Sequence, residues 1–227
     1  YGSASAVIVK DIGQRIPADI IISAASYLDT ENGLDESKRS YPASYWSSRL
    51  YSPSSIIVSL GLNIKVPNLL HHNTFTDTET DSELDIKSRA WPYKIGSFHV
   101  SCPSTTDPSL APDGGEVLTI TIPIPSGLRN QEDAQDGLVS QALARVSDAV
   151  GFNIIDHIAT KHIISSNYYR GMFSSPGGSA YGIALTTKQK LYKRPRAASK
   201  KLANLFFAGQ DTNPGPGAPF AVVSGKL

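Results

Sequence analysis

The sequence predicts an α+β or mixed α/β fold, with a mixed or antiparallel sheet flanked by helices. Three observations point there. Strand-like runs recur along the chain, at 6–9, 20–23, 54–61, 97–101, 116–124 and 205–207. Only 132–150 carries a good helical pattern, and strands and helices do not alternate as they would in a βαβ series. With 227 residues, 40% apolar and 18% charged, the chain is long enough and greasy enough to bury a substantial core.

Each element has its local reason. The run AVIV at 6–9 is short and apolar. Asp11-Ile12-Gly13-Gln14 is turn chemistry, and RIPADIIISAAS then carries a strand at 20–23 that reads as buried on both faces. Residues 27–52 are polar and aromatic, in helix and loop. SSIIVSLG (54–61) is a second buried strand, whereas 69–80, with His71 and His72, reads as polar and irregular. SFHVS (97–101) alternates, 103–115 is a long turn, and EVLTITIPI (116–124) is the clearest half-buried strand. Leu138, Ala142, Leu143, Val146 and Val150 recur at helical spacing. Residues 154–164 are apolar and stay open between helix and strand. GMFSSPGGSAYG (171–182) is small-residue and flexible, and the basic stretch KQKLYKRPRAASKK (188–201) reads as a solvated loop, with contact to a phosphate or an anionic membrane surface as the alternative. LFF (205–207) is a strand; a Gly/Pro turn follows, and APFAVV opens a helix with Pro in its first turn.

Composition excludes several classes. A net charge of +1 makes no case for a nucleic-acid partner. A single cysteine, Cys102, rules out an internal disulfide and suggests a reducing, cytoplasmic setting. No apolar run approaches the roughly 18 residues of a membrane span. The start YGSASAVIVKDIG has no basic n-region, no long apolar h-region and no initiator Met; it opens into a strand, as an excised segment would.

Candidate chemistry is sparse. His71 and His72 are adjacent, so on a strand they point apart, and no ligand spacing accompanies them; no metal site is expected. Asp77, Glu79, Asp81, Glu83 and Asp85 lack the spaced Gly of a calcium loop. Ser179, in Gly178-Ser179-Ala180-Tyr181-Gly182, misses the second Gly of a nucleophile elbow by one position. No Gly-x-Gly-x-x-Gly follows a strand, and Pro beside Gly215 and Gly217 removes the N–H donors a pyrophosphate cradle needs. No side chain is singled out as catalytic acid, base or nucleophile. That leaves a binding module or an enzyme whose hard chemistry belongs to a cofactor.

Five segments carry a resemblance. HVSCPSTTDPSLAPDGGEVLTITIPIP (99–125), SIIVSLGLN followed by LLHHNTF, GGSAYG (177–182), NLFFAGQDTNPGPGAPFAVVSGK and RIPADIIISAA together resemble the phytoene desaturase family of bacteria and fungi, flavin enzymes related to the amine oxidases. The matches fall in family order over nearly the whole chain. The resemblance implies FAD in the full-length protein and hydride transfer from an apolar, phytoene-like polyisoprenoid to flavin. It implies a discontinuous, Rossmann-like FAD domain whose N-terminal part, with its Gly-x-Gly-x-x-Gly, has no match here, so the chain is expected to be an inactive fragment ending in a cut helix. Residues 1–26 would be the returning segment of that domain, 27–202 the substrate-binding domain, and 203–227 the closing flavin segment. Cofactor contacts would come from Gly209, Gln210, Asp211, Gly215, Gly217, Ala218 and Pro219. Gly178, Ala180, Tyr181 and Gly182 would lie on the substrate side. Relatives often carry an acid directly after Ala-Gly, where this chain has Gln210, with Asp211 one place later. Ile56, Val58, Val117, Ile120 and Ile122 are candidates for lining the substrate sheet, with plain core as the alternative. A lipid substrate implies a peripheral membrane surface as partner. Still open are an amine oxidase, saturase or isomerase on the same scaffold, and a non-catalytic lipid- or partner-binding module.

Overall fold

The computed structural model describes residues 2–76, 91, 94–128 and 132–227. In chain order the elements are β1 (Ala6–Ile8), β2 (Arg15–Pro17), β3 (Ile21–Ser23), α1 (Tyr27–Asn32), α2 (Ala43–Ser47), β4 (Ser54–Leu62), β5 (His72–Phe75), β6 (Phe98–Ser101), β7 (Glu116–Ile124), α3 (Glu132–Val150), β8 (Ile158–Ile164), α4 (Ser166–Phe173), β9 (Leu205–Phe207) and α5 (Ala218–Lys226). The mixture of helices with antiparallel and parallel sheets is the expected α+β class. The chain divides into two compact units. The first comprises Tyr1–Ser52, Arg170–Pro176 and Tyr181–Leu227; the second comprises Pro53–Tyr169 and Gly177–Ala180. Thus 27–52 and 181–202 group with the two terminal segments, not with the large sheet; these breaks differ from those the resemblance suggests at 26/27 and 202/203.

In the second unit a five-stranded antiparallel sheet has the order β5-β6-β7-β4-β8. Its register follows from period-two burial. On β4 and β7 the side chains of Ile56, Val58, Leu60, Leu118, Ile120 and Ile122 fall on one face and are buried. The apolar stripe of α3 belongs to the same core, through Leu138, Ala142, Leu143 and Val146. Burying each Leu, Ile or Val side chain here is worth about 1.5–3 kcal/mol. Glu132 and Asp133 in the first turn of α3 suit its positive end, and Gly151, at φ 83°, closes it by donating its amide hydrogen to Ser147 O. The opposite sheet face carries Ser59, Thr119, Ser101 and His72 in one cross-strand row, with His162 beyond β4. Ile56, Val58, Ile120 and Ile122 are therefore core; Val117 alone of the five alternates to the other face.

The first unit holds the antiparallel hairpin β1-β2 and the parallel pair β3-β9. Its core gathers Tyr27, Tyr41, Trp46, Ile183, Leu202, Leu205 and Phe207. Tyr27 stacks on Phe207 with ring centroids 3.6 Å apart, adding a geometric term to its area burial. Beneath them Glu31 is buried, accepting from the Ser40 amide at 2.6 Å and the Tyr41 amide at 3.3 Å. Those bonds replace the water a carboxylate loses on burial.

Several local expectations change. The irregular stretch 69–80 contains β5, an edge strand whose partner β6 supplies the ladder its polar sequence does not advertise. Residues 154–164 become a single turn of 3-10 helix and then β8. The strand at 20–23 is not buried on both faces: Ile22 is 68% exposed, because only β9 flanks it among the described residues. The acidic run from Asp77 to Asp85 lies outside the described residues.

Candidate functional site

Parallel pairing of β3 with β9 brings two segments almost 200 residues apart side by side. Ile21 pairs with Leu205 and Ser23 with Phe207; the Ala208 amide then donates to Ser23 O at 2.9 Å. The loop 209–217 leaves the end of this pair and leads into α5. Gly209, Gly215 and Gly217 all hold positive φ, at 110°, 131° and 121°, a region nearly closed to residues with a Cβ. At Gly215 a Cβ would stand 2.9 Å from Leu185 Cδ2. The loop is tied at its start. The Gly209 amide donates to Ser224 Oγ in α5 at 2.7 Å, and Thr212 returns its amide and its hydroxyl to Gly209 O.

Asp211 does not face outward. Its carboxylate accepts from the Tyr27 amide and the Ile183 amide, each at 3.3 Å. The residue is half-buried while its carboxyl group is enclosed. Burial raises its pKa above the usual aspartate value; the two amides and the Arg194 guanidinium pull the other way. Gly182, at φ 67°, makes this approach feasible, since a Cβ there would overlap Asp211 Oδ1 and crowd the Gln210 side chain. Gly182 and the loop 209–217 thus meet inside one unit.

Arg194 completes the bracket. It is 3% exposed and donates through Nε to Thr212 O at 2.9 Å, through Nη1 to Ile183 O at 3.1 Å and through Nη2 to Gln210 O. The guanidinium fork suits three carbonyls held in different directions. The reading of 188–201 as a wholly solvated loop fails here. The sequence holds one hint, that this position in a lysine-rich run is Arg. Tyr27, Ile183, Thr212 and Ser224 carried no signal of their own.

Polar groups of the loop remain outside this bracket. The Gln210 side chain is exposed. Asn213 Oδ1 is buried and has no hydrogen-bond partner, an acceptor in want of a donor. Gly217 caps α5 with no side-chain bond, and Pro219 sits in the first turn beside Ala218. The start of α5 therefore presents free N–H groups and positive potential. A donor opposite Asn213 and an electron-rich edge opposite the helix start is the ligand chemistry these groups ask for.

The other expected positions divide between units. Tyr181 and Gly182 lie in the first unit; the Tyr181 amide donates to Ser52 Oγ at 3.1 Å and the Ser52 amide to Gly182 O at 2.9 Å. Gly178 and Ala180 lie in the second. Gly178 has φ 68°, and a Cβ there would come within 2.8 Å of Ser166 Cβ; the Ala180 amide donates to Pro53 O. Ser179, among these residues, is buried and is no exposed nucleophile. His72 Nδ1 lies 3.2 Å from His99 Nε2 on the neighbouring strand. Among the described residues no group of three or more His, Cys, Asp or Glu could hold a metal ion.

No family model matches the chain, but individual proteins do. It is 29% identical over 217 residues to a carotenoid 3,4-desaturase of Haloarcula japonica, covering 94% of this chain and 44% of that protein. It is 30% identical over 250 residues to a phytoene desaturase of Fusarium fujikuroi, covering 100% and 43%. It is 28% identical over 198 residues to a 4,4'-diapophytoene desaturase of Staphylococcus aureus, covering 83% and 39%. The chain thus spans less than half the length of these relatives. Among solved structures, an oxidoreductase from Methanosarcina mazei shares the fold over 98% of this chain and 45% of its own, with TM-score 0.56 and 16% identity. A putative protoporphyrinogen oxidase from Exiguobacterium does so over 95% and 41%, with TM-score 0.55 and 15% identity.

Proposed function

We propose that the chain is part of an FAD-dependent enzyme of the carotenoid desaturase family that desaturates an apolar, phytoene-like polyisoprenoid; its similarity to carotenoid and phytoene desaturases supports this reading. The observation that carries this reading is the loop 209–217, set at the end of the parallel β3-β9 pair with an unpaired Asn213 acceptor and an uncapped α5. These residues fit a flavin. Its ring carries an N–H donor for an acceptor such as Asn213 Oδ1, and its pyrimidine edge gains electron density on reduction, which a helix N-terminus favours. FAD, when bound, supplies the hydride acceptor. Gly209, Gly215 and Gly217 let the backbone pass close to the ring, with Ala218 and Pro219 opening the helix. Gln210, not Asp211, is the polar side chain left to meet the cofactor; Asp211 and Arg194 hold the loop's shape.

The rest of the nucleotide-binding domain would come from sequence outside this chain. Ile20, Ile22 and Phe206, exposed on β3-β9 and the approach to it, are the surface such a domain would cover. No helix among the described residues is long and apolar enough to cross a membrane. An apolar, membrane-dissolved substrate would be reached by docking at a membrane surface, on the cytoplasmic side that the lone cysteine favours.

The test uses the full-length natural protein that contains this chain. It should purify with bound flavin and convert a phytoene-type substrate in liposomes. Asn213→Leu should lower flavin retention severalfold while leaving folding of the flavin-free protein intact, since it removes a buried acceptor that lacks a donor. A protein without flavin and without desaturation would sink the reading.

A further inference from the structure

The basic stretch at 188–193 is a projection with fastened ends. At one end Gln189 is buried; its Oε1 accepts from the Leu50 amide at 2.9 Å, and its Nε2 donates to Leu50 O at 2.8 Å and Ala184 O at 3.3 Å. At the other end is Arg194 with its three carbonyls. Between them the chain turns outward. Leu191 is 57% and Tyr192 84% exposed, flanked by exposed Lys188, Lys190 and Lys193. Leu191 holds φ 55°, a left-handed backbone leucine rarely adopts unless its surroundings impose it. Such strain, kept for a side chain that packs against little, calls for a use outside the folded core. Lys193 Nζ closes the turn on Thr187 O at 3.3 Å.

Charge along the chain points the same way. Residues 157–210 contain nine Lys and Arg and no Asp or Glu, in a protein whose net charge is only +1. The remainder is correspondingly acidic.

We propose that 188–193 is a membrane-contact element, which seats Leu191 and Tyr192 in the interface of an anionic bilayer while its lysines meet the lipid headgroups. Tyrosine suits the boundary between headgroup and acyl chain, lysine stems reach past apolar surface to hold their charge in water, and anionic headgroups attract clustered cations. A nucleic acid would use the cations but has no place for a projecting leucine. The proposal rests on the reading above for its purpose, since a membrane-dissolved polyisoprenoid must be collected at a bilayer.

The experiment is vesicle sedimentation, with neither flavin nor isoprenoid present. The protein is mixed with phosphatidylcholine vesicles, with or without phosphatidylglycerol, at low and high salt. It should sediment with the anionic vesicles and be released by salt. L191S/Y192S should weaken the partition about tenfold, and K188E/K190E, which spares the Lys193 bond to Thr187 O, should weaken it at least as much. Leu110→Ser, at a residue 52% exposed in the other unit, should change nothing. All variants alter exposed side chains, and circular dichroism should show the same fold.

Three results would overturn the proposal: no vesicle binding by the unaltered protein, equal binding by L191S/Y192S, or binding to duplex DNA that L191S/Y192S retains and the charge reversal loses. None of them bears on flavin or turnover. Conversely, a protein without desaturase activity that still binds vesicles through this loop would separate the two readings.

Discussion

Arg194→Met removes the guanidinium that brackets the loop while keeping most of the side-chain stem. Three carbonyls, Thr212 O, Ile183 O and Gln210 O, lose their donor, and Asp211 loses the nearby positive charge. Each lost bond from a charged donor is worth about 1.5–3 kcal/mol. Gln210 lies at the surface and Thr212 retains its other bonds, so water and small shifts will recover part of the sum. Removing one partner from a buried charged group costs about 3–5 kcal/mol, and that is the expected loss. For a chain of this size it lowers Tm by roughly 6–20 °C. Arg194→Lys should recover less than half, because an ammonium cannot reach three carbonyls in separate directions. Arg196→Met, two residues on and exposed, should stay within about 0.5 kcal/mol of the parent. The assay is urea unfolding followed by circular dichroism, with calorimetry for Tm. If Arg194→Met unfolds within about 1 kcal/mol of the parent, the bracket does not hold the loop and the argument fails.

Other consequences are smaller but equally direct. Gly182→Ala should cost at least about 1–2 kcal/mol from its left-handed backbone, and more from overlap with Asp211; an unchanged urea midpoint would show that the two segments separate freely. Asp211→Asn should alter the pH dependence of stability. Because burial raises the folded-state pKa of Asp211, its contribution is full below the ordinary aspartate value of about 3.9 and is lost as pH rises through the raised value. The stability of the parent relative to Asp211→Asn should therefore fall between pH 4 and the raised pKa and level off above it; parallel curves would remove Asp211 as the responsible group. Val146→Ala, at a fully buried position of α3, should cost about 1–3 kcal/mol by leaving a cavity in the second unit, with no change in flavin retention by the full-length protein.

Patterns that act over a few residues were legible in the chain alone. The helix 132–150 is visible because a stripe of period 3.6 is a property of neighbours, and β4, β7 and β9 because apolar runs and alternation are too. The α+β class followed from those elements. Resemblance in five segments indicated the family, and similarity to three desaturases agrees. What the sequence could not carry were contacts between residues distant along it. β5 looks irregular until β6 offers a ladder. Four of the five residues offered as substrate lining proved to be core, because only sheet register decides which alternate face meets α3.

The divide is sharpest at the site. Glycine spacing and the Pro-marked helix start are local, so the sequence by itself determined that 209–217 is a tight, backbone-rich loop leading into a helix. That Asp211 turns inward, that Gly182 makes room for it and that Arg194 leaves a lysine-rich loop to hold three carbonyls were decided only by the tertiary structure. A buried charge is tolerable only where partners converge on it, and those partners lie from 11 to 184 residues away along the chain.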